Sequence, residues 1–218
     1  TNVRSSKSLC RTWINHRSSR NASFAPIDRN EARGLLGLPL DRKLILFGAL
    51  GATSDLRKGY DLLVEAIREF ERLDGKSNAE VLVFGGPRAG ELPGIRLKSH
   101  FLGSFSDELS LRVVYSAADV FVAPSRQDNL PNTVVEAAAC GVPTVAFNIG
   151  GMSDIIAEGE TGVLAAPFDS AALAAGIHWL LHAPIKREMV RAAAEAKFSL
   201  LATLPNYLAL YKRLSEQG

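Results

Sequence analysis

Short apolar runs recur along the chain, and each ends at or near a glycine, a proline or a polar loop. A short, continuous apolar run of this kind is typical of a strand that is buried on both faces. The predicted strands are Leu44–Phe47, Val81–Phe84, His100–Leu102, Val120–Ala123, Thr144–Phe147 and Gly162–Leu164.

Between these runs, apolar residues recur at a spacing of three and four, which predicts helices. The predicted helices are Lys58–Leu73, Glu108–Ala117, Thr133–Ala139, Ser170–His182, Ile185–Phe198 and Asn206–Ser215. Gly141 directly follows one of them, as a C-terminal capping glycine does. Ser170 is predicted to cap the N-terminus of its helix, and Pro184 and Pro205 are predicted to separate the last three helices.

Buried strands that alternate with helices indicate an α/β fold, with a parallel sheet covered by helices on both faces. We predict a Rossmann-like sheet domain over about residues 42–168, with trailing C-terminal helices, inside a domain that spans 28–218. Residues 1–27 have five basic and no acidic side chains, and are interpreted as a basic tail or an inter-domain linker, with a transit peptide as the weaker alternative. In such folds, ligands bind at the carboxyl ends of the strands.

Charge and composition exclude two classes of function. The 218 residues carry 25 basic and 23 acidic side chains, whereas a nucleic-acid surface needs a concentrated basic patch. No apolar run approaches the roughly 20 residues that span a bilayer, so any membrane contact is expected to be peripheral. Cys10 lies in a polar segment and Cys140 in an apolar one, which favours unpaired thiols and a cytoplasmic location.

The loop after Val120–Ala123 carries the chemistry that stands out most. Asp128 and Glu136 are separated by seven residues, and a helix is predicted to begin near Asn132 between them. The first N–H groups of a helix lack internal partners and form its positive end, which suits a diphosphate. The two carboxylates would then accept hydrogen bonds from sugar and ribose hydroxyls. The alternative is a capping box, with Thr133 as the N-cap and Glu136 as its reciprocal partner.

A longer series of motifs surrounds this loop. It runs from Ala118-Asp119-Val120-Phe121-Val122-Ala123-Pro124-Ser125 through Asp128 to Glu136-Ala137-Ala138-Ala139-Cys140-Gly141-Val142-Pro143-Thr144-Val145-Ala146, and then to Gly150-Gly151 and Gly159-x-Thr161-Gly162-Val163-Leu164. The series resembles the C-terminal, donor-binding domain of the GT-B fold retaining glycosyltransferases of the family-4 type, the group 1 glycosyltransferases. The similarity covers roughly Phe24 to Tyr211.

The resemblance implies roles for the acidic pair and for the helix between them. Asp128 falls where the family contacts the donor sugar, usually with Glu, and Glu136 falls where it holds the ribose. Asn132 and Thr133 match positions whose backbone N–H groups bind the donor phosphates. Pro131 stands where Gly is usual and has no N–H, which removes one phosphate contact.

Further positions of the donor site follow from the same resemblance. Lys58 matches a phosphate-binding lysine that offsets charge on the leaving diphosphate, so Lys58, Asp128 and Glu136 form the predicted catalytic set. The family's Gly-Arg after the first strand is Gly48-Ala49 here, and Arg57 is the predicted substitute for the arginine.

Three more positions complete the predicted donor site. The loop with Phe105 matches the nucleobase-contacting loop, although simple packing explains Phe105 equally well. Gly150 and Gly151 match a glycine pair that lets backbone approach the donor.

The resemblance implies transfer of a hexose from a nucleotide diphosphate sugar, with retention and without a cofactor or metal. No Asp-x-Asp motif is present, and His178 and His182 share a helix face without an evident third ligand. Expected partners are the nucleotide sugar and a missing N-terminal acceptor lobe, through which the protein would contact the inner face of the membrane. A non-catalytic nucleotide-binding module derived from this fold stays open, as does another GT-B chemistry such as epimerisation or phosphorolysis.

Overall fold

In the computed structural model, residues 24–48, 55–75, 77–86 and 96–216 are described. The helices are α1 (Arg29–Leu36), α2 (Tyr60–Leu73), α3 (Glu108–Ala117), α4 (Asn132–Ala139), α5 (Met152–Ile155), α6 (Ser170–His182), α7 (Arg187–Phe198) and α8 (Leu200–Ser215). The strands are β1 (Lys43–Gly48), β2 (Ala79–Phe84), β3 (Ser99–Gly103), β4 (Val120–Ala123), β5 (Thr144–Phe147) and β6 (Gly162–Ala165).

Within the described residues, the six strands form one sheet in the order β3-β2-β1-β4-β5-β6, and every neighbouring pair is parallel. This is the doubly wound Rossmann order, so the predicted fold class is confirmed. The chain leaves β1 toward β2 on one side, and later enters β4 on the other side of β1. The crevice between the ends of β1 and β4 is therefore the topological switch point, where such sheets bind ligands.

The apolar strands feed two cores, one on each face of the sheet. Leu44 and Leu46 of β1 pack with α3 and α4, whereas Ile45 and Phe47 pack with α2 and α6. All four side chains are almost fully buried. Because successive side chains of a strand point to opposite faces, a continuous apolar run requires helices on both sides.

The packed unit also includes residues 24–27, upstream of the predicted domain start at residue 28. Phe24 is fully buried and meets the ring of Tyr115 edge to face. The Ile27 amide donates to the Ser116 hydroxyl at 3.1 Å, and Arg112 donates to the Ala25 carbonyl. The part of the predicted basic tail before residue 24 lies outside the described residues.

The predicted N-cap of α6 is wrong. The N-cap of α6 is Asp169, whose carboxylate accepts from the Ala172 amide at 2.9 Å, while the Ser170 hydroxyl donates to Glu65. An aspartate one residue earlier reaches the same helix-end amides, so the serine is not needed as a cap.

Pro205 does not separate helices, since it lies inside α8, which begins at Leu200 with Ser199 as its cap. The proline removes one hydrogen bond, and on this exposed helix water can take the carbonyl that is left without a donor. Pro184 does lie between α6 and α7, as predicted.

No helix in the described part of the chain combines the length and the apolar character that crossing a bilayer requires. Cys140 is a free thiol at the end of α4, and burial raises its pKa to about 12. A thiol with so high a pKa stays protonated at neutral pH and is a poor nucleophile. Cys10 lies outside the described residues.

Candidate nucleotide-sugar site

The loops that follow β1 and β4 meet at the switch point. A short 3-10 turn, Leu56–Lys58, is capped by Asp55 and followed by Gly59 in the left-handed region, with φ of 69°. A Cβ on Gly59 would lie 1.9 Å from the Pro124 carbonyl oxygen. Glycine is therefore required twice, by the backbone angle and by the close approach of the two loops. The predicted helix accordingly begins at Tyr60, and Lys58 lies just before it.

Arg126 ties the same two loops together. Its amide donates to the Arg57 carbonyl at 2.8 Å, and its guanidinium donates to the Leu56 carbonyl at 3.2 Å. The guanidinium also holds the Asp61 carboxylate through two hydrogen bonds of 2.6 and 2.5 Å. The hydrogen bonds from Arg126 lower the pKa of Asp61 below its ordinary value. Sequence reasoning missed Arg126, since nothing in its local pattern distinguishes it from a solvated charge.

The contacts between the loops after β1 and β4 bring together two residues of the predicted catalytic set. Lys58 Nζ lies 2.9 Å from Asp128 Oδ2, although 70 positions separate them in the chain. The lysine side chain is 25% exposed and the aspartate side chain 16%, so the pair is partly shielded from water. A cation and a carboxylate therefore stand at the mouth of the crevice, where both can reach a ligand.

Helix α4 presents its positive end beside this ion pair. Its N-cap is Pro131, which makes no side-chain capping bond, and the Pro131 carbonyl accepts from the amides of Val134 and Val135. Among the described residues, no acceptor is found for the amides of Asn132 and Thr133. The capping-box interpretation is wrong, because Thr133 lies inside the helix and is not its N-cap. The amides that lack an acceptor and the helix dipole favour an anion at this tip.

Glu136 lies one turn inside α4 and is only 6% exposed. Its Oε2 accepts a hydrogen bond of 3.0 Å from the hydroxyl of Tyr115 on α3. Burial, and then the charge of Glu136, raise the pKa of Tyr115 well above its ordinary value, so the phenol stays protonated and donates. The carboxylate is therefore oriented by a donor from a neighbouring helix.

Tyr115 itself is fixed by packing. The rings of Phe24, Phe84 and Phe121 surround it edge to face, with centroid distances of 6.1, 5.6 and 5.7 Å. Sequence reasoning did not single out Tyr115. A tyrosine on the buried face of a predicted helix could have signalled it, because a buried phenol needs a hydrogen-bond partner.

Gly150 and Gly151 contact the loop that carries Asp128. A Cβ on Gly150, whose φ is 53°, would lie 1.9 Å from the Asp128 carbonyl oxygen. A Cβ on Gly151 would lie 2.2 Å from the carbonyl oxygen of Asn129. The glycine pair thus lets the loop after β5 pack closely against the backbone of the Asp128 loop. Its predicted approach to the donor stays a prediction.

The remaining predicted positions differ in where their side chains lie. Gly48 ends β1, and a Cβ there would overlap the Phe84 ring. Phe105 is half-buried and packs against the core that contains Tyr115. Arg57 is 70% exposed, and its guanidinium is bonded to Asp55 at 2.7 Å. The structure therefore places the Arg57 side chain against its own turn and not against Asp128.

The strand order defines a Rossmann-like domain. The two loops in contact place its candidate ligand site at the switch point. The family model described as "Glycosyl transferases group 1" matches residues 41–183. The chain therefore belongs to the group 1 glycosyltransferases, and it has the architecture of the C-terminal domain of the GT-B enzymes.

Individual relatives agree with this assignment. The chain is 32% identical over 206 residues to D-inositol 3-phosphate glycosyltransferase from Acidothermus cellulolyticus, covering 88% of this chain and 45% of that protein. Sucrose-phosphate synthase from Thermosynechococcus elongatus has a similar structure, with a TM-score of 0.74 and 28% identity, covering 91% of this chain and 51% of that chain.

A third relative was solved with a nucleotide. The Anabaena protein Alr3699/HepE in complex with UDP matches with a TM-score of 0.70 and 20% identity, covering 88% of this chain and 55% of that chain. At this identity the likeness shows the fold alone. The chain thus spans about half the length of these relatives.

Proposed function

We propose that this chain is the donor-binding domain of a retaining glycosyltransferase that needs no metal for transfer. It would move a hexose from a nucleotide diphosphate sugar to a glycan or lipid-linked acceptor, in polysaccharide biosynthesis. The observation that carries the proposal is the Lys58–Asp128 ion pair, which lies beside the open amides of α4 at the switch point. A cation, a carboxylate and a helix N-terminus, each able to recognise part of one diphosphate sugar, lie together there.

The diphosphate would sit on the tip of α4. The amides of Asn132 and Thr133 would donate to its oxygens, and the helix dipole would favour its charge. Lys58 Nζ would move from Asp128 to the phosphate that becomes the leaving group, where it offsets the charge that develops as the glycosidic bond breaks. Asp128, released from the lysine, would accept hydrogen bonds from hydroxyls of the sugar.

Glu136 would hold the ribose. A carboxylate has about four lone-pair sites, and the Tyr115 hydroxyl occupies one of them. The carboxylate would accept from the two adjacent ribose hydroxyls as well. Because the rings around Tyr115 hold the phenol in place, Glu136 is oriented before the nucleotide arrives, which lowers the entropic cost of binding.

A second, acceptor-binding lobe is part of the proposal. The chain covers 45% of the inositol-phosphate enzyme and 51% of sucrose-phosphate synthase, which leaves room in those proteins for another lobe. Helix α8 also exposes apolar side chains at a spacing of three and four, a pattern that normally faces a partner. They are Leu200, Leu201, Leu204, Leu208, Tyr211 and Leu214. We propose that this lobe packs on α8 and makes the protein's peripheral contact with the inner face of the membrane, from the cytoplasm.

One observation favours the non-catalytic alternative. Pro131 caps α4 and has no N–H, so the tip offers one donor fewer than a glycine would provide. A module that binds nucleotide and transfers no sugar would tolerate that loss. Assaying the protein with both lobes for release of UDP from a UDP-sugar separates the two functions, since only the enzyme releases nucleotide at a rate that depends on acceptor.

Calorimetric titration of the chain with UDP, GDP and ADP tests donor binding. We expect one nucleotide to bind, and Glu136→Gln to weaken it at least about tenfold, because a buried diol loses its charged acceptor. Glu160→Gln is the matched control, since Glu160 is exposed and lies just before β6, at the amino ends of the strands, whereas the crevice lies at their carboxyl ends. Unchanged affinity in a folded Glu136→Gln variant would overturn the assignment.

A further inference from the structure

A cluster of three metal-ligating side chains lies outside the proposed donor site. His178 and His182 share one face of α6 near its C-terminus, and Asp74 caps the C-terminus of α2, which packs on α6. Each residue offers one ligand atom, and the three atoms lie within 4.8 Å of one another. The sequence shows only that the two histidines share a helix face, and the fold brings Asp74 to them.

The histidine geometry leaves a lone pair for a ligand. His182 Nδ1 lies 2.8 Å from the His178 carbonyl oxygen. A carbonyl can only accept, so Nδ1 donates, and in the neutral imidazole Nε2 keeps its lone pair. Metal-bound histidines are oriented by this kind of bond from the other ring nitrogen. The two imidazoles lie side by side, with ring centroids 4.6 Å apart, and Phe70 packs against His178.

Asp74 has a fixed backbone and an available carboxylate. Its amide donates to the Phe70 carbonyl at 2.8 Å, and its carbonyl accepts from the Ser77 amide at 2.9 Å. Within the described ranges, its carboxylate has no hydrogen-bond or ion-pair partner. Asp74 and His178 are half-buried and His182 is exposed, so the cluster is open to an ion from solvent on one side.

The arginines near the cluster are paired with other groups. Asp74 and His182 line a cavity of about 330 Å³ that also contains Arg29, Arg33 and Arg42. Arg29 and Arg33 are both bonded to Asp119 at 2.7 Å.

The third arginine, Arg42, donates to Asn78 at 2.6 Å and lies within 4.0 Å of the carboxylates of Asp41 and Glu80. The three arginines are thus engaged by acidic or amide groups, and Lys43, which also lines the cavity, is exposed to solvent. The carboxylate of Asp74 is left for an ion.

We propose that Asp74, His178 and His182 bind one divalent transition-metal ion, with Zn²⁺ as the expected metal and water in the remaining positions. Two imidazoles and a carboxylate suit Zn²⁺ better than Ca²⁺ or Mg²⁺, which prefer oxygen ligands. Ligand atoms around tetrahedral Zn²⁺ lie about 3.3 Å apart, so small side-chain rotations close the site.

The site is structural and not catalytic. It lies at the C-terminal end of α2, whereas Lys58 precedes the N-terminal end, and a helix of 14 residues is about 21 Å long. The bound ion joins the end of α2 to the end of α6. It therefore stabilises the helix layer on that face, while sugar transfer at the other end needs no metal.

The test uses the whole chain, first freed of metal by dialysis against a chelator. Calorimetric titration with Zn²⁺ should show one ion per chain, and Zn²⁺ should raise the Tm. His182→Ala and the isosteric Asp74→Asn should each weaken Zn²⁺ by more than about tenfold, the loss that even an outer-shell partner can cause. His16→Ala, which removes a histidine far away in sequence, should leave the affinity unchanged.

Two readouts separate this site from others. Co²⁺ in place of Zn²⁺ should give a visible spectrum without a sulfur-to-metal charge-transfer band, since the proposed ligands contain no thiolate. UDP affinity should be the same in Asp74→Asn as in the parent chain, which shows that the variant is folded. Full Zn²⁺ affinity in both ligand variants, or a thiolate band that Cys10→Ser abolishes, would overturn the proposal.

Discussion

The two ends of helix α2 are built in different ways. At its N-terminus, the loops after β1 and β4 are joined by backbone contacts, by Arg126 and by the Lys58–Asp128 pair. At its C-terminus, three polar side chains converge with few bonds among them. The first end is fixed by several independent contacts, as the proposed binding of a flexible diphosphate sugar would require. The second end is held by the buried ring of Phe70 and by Glu71, which accepts from two backbone amides. A bound ion would add a direct link from Asp74 to the two histidines of α6.

Among the variants that test the difference between the two ends of α2, Gly59→Ala should have the largest effect. The variant would place a Cβ 1.9 Å from the Pro124 carbonyl at a φ of 69°, so the two loops must separate. We expect a loss of about 2–4 kcal/mol in the free energy of unfolding, measured with urea.

Gly37→Ala is the matched control for Gly59→Ala. Gly37 has a φ of 65°, and a Cβ there meets nothing within 4 Å. That variant should cost only the backbone strain, about 1 kcal/mol. Equal losses for the two variants would show that the contact between the loops contributes nothing.

The next effect is on binding. Lys58→Ala removes the cation from the crevice, and we expect UDP affinity to fall by about 10- to 100-fold, as for a lost charge-assisted bond. Uridine affinity should hardly change, because the nucleoside has no phosphate. Lys98→Ala, at an exposed position before β3, is the control. Equal losses for UDP and uridine would contradict the role of Lys58.

A smaller effect is expected from Tyr115→Phe, which removes only the hydroxyl that donates to Glu136. The buried carboxylate loses a donor, so stability should fall by about 1–2 kcal/mol and UDP affinity should fall as well. Tyr60→Phe is a stability control, since the Tyr60 ring packs on Phe47 in the same way with or without its hydroxyl. Unaltered stability and UDP affinity in Tyr115→Phe would argue that Glu136 is oriented by other contacts.

The smallest effect concerns pH. The pKa of Asp61 is lowered in the folded chain, so its bond to Arg126 stabilises the fold above the unfolded pKa, near 3.8, and this stabilisation is lost as the pH falls through the folded pKa. The pair is largely exposed, and Asp61→Asn should cost no more than about 1 kcal/mol at pH 7. Urea unfolding should show this cost shrinking below about pH 3.8. If the stability lost in Asp61→Asn did not depend on pH, the loss would come from packing and not from the ion pair.

Several elements of the fold could be predicted residue by residue. The bounds of α3, β4, β5 and α6 match the predicted ones, because apolar runs and helical spacing are local signals of burial. The short helices α1 and α5 were not predicted, and α8 was predicted to start after Pro205. A helix of four residues, such as α5, has too few positions for a period, and α1 is largely polar and shows no sustained apolar repeat. The start of α8 depends on its cap, Ser199.

In the candidate site, too, some features could be predicted from the sequence and others could not. The sequence by itself predicted which residues bind a diphosphate sugar, since Lys58, Asp128, Asn132 and Glu136 were assigned from the motifs and the family resemblance, and this stays a prediction. Only the tertiary structure decided that Lys58 meets Asp128, that Tyr115 orients Glu136, and that Asp74 joins His178 and His182. Strand order and helix packing bring these partners together, and neither leaves a periodic signal, because each contact joins segments that are far apart along the chain.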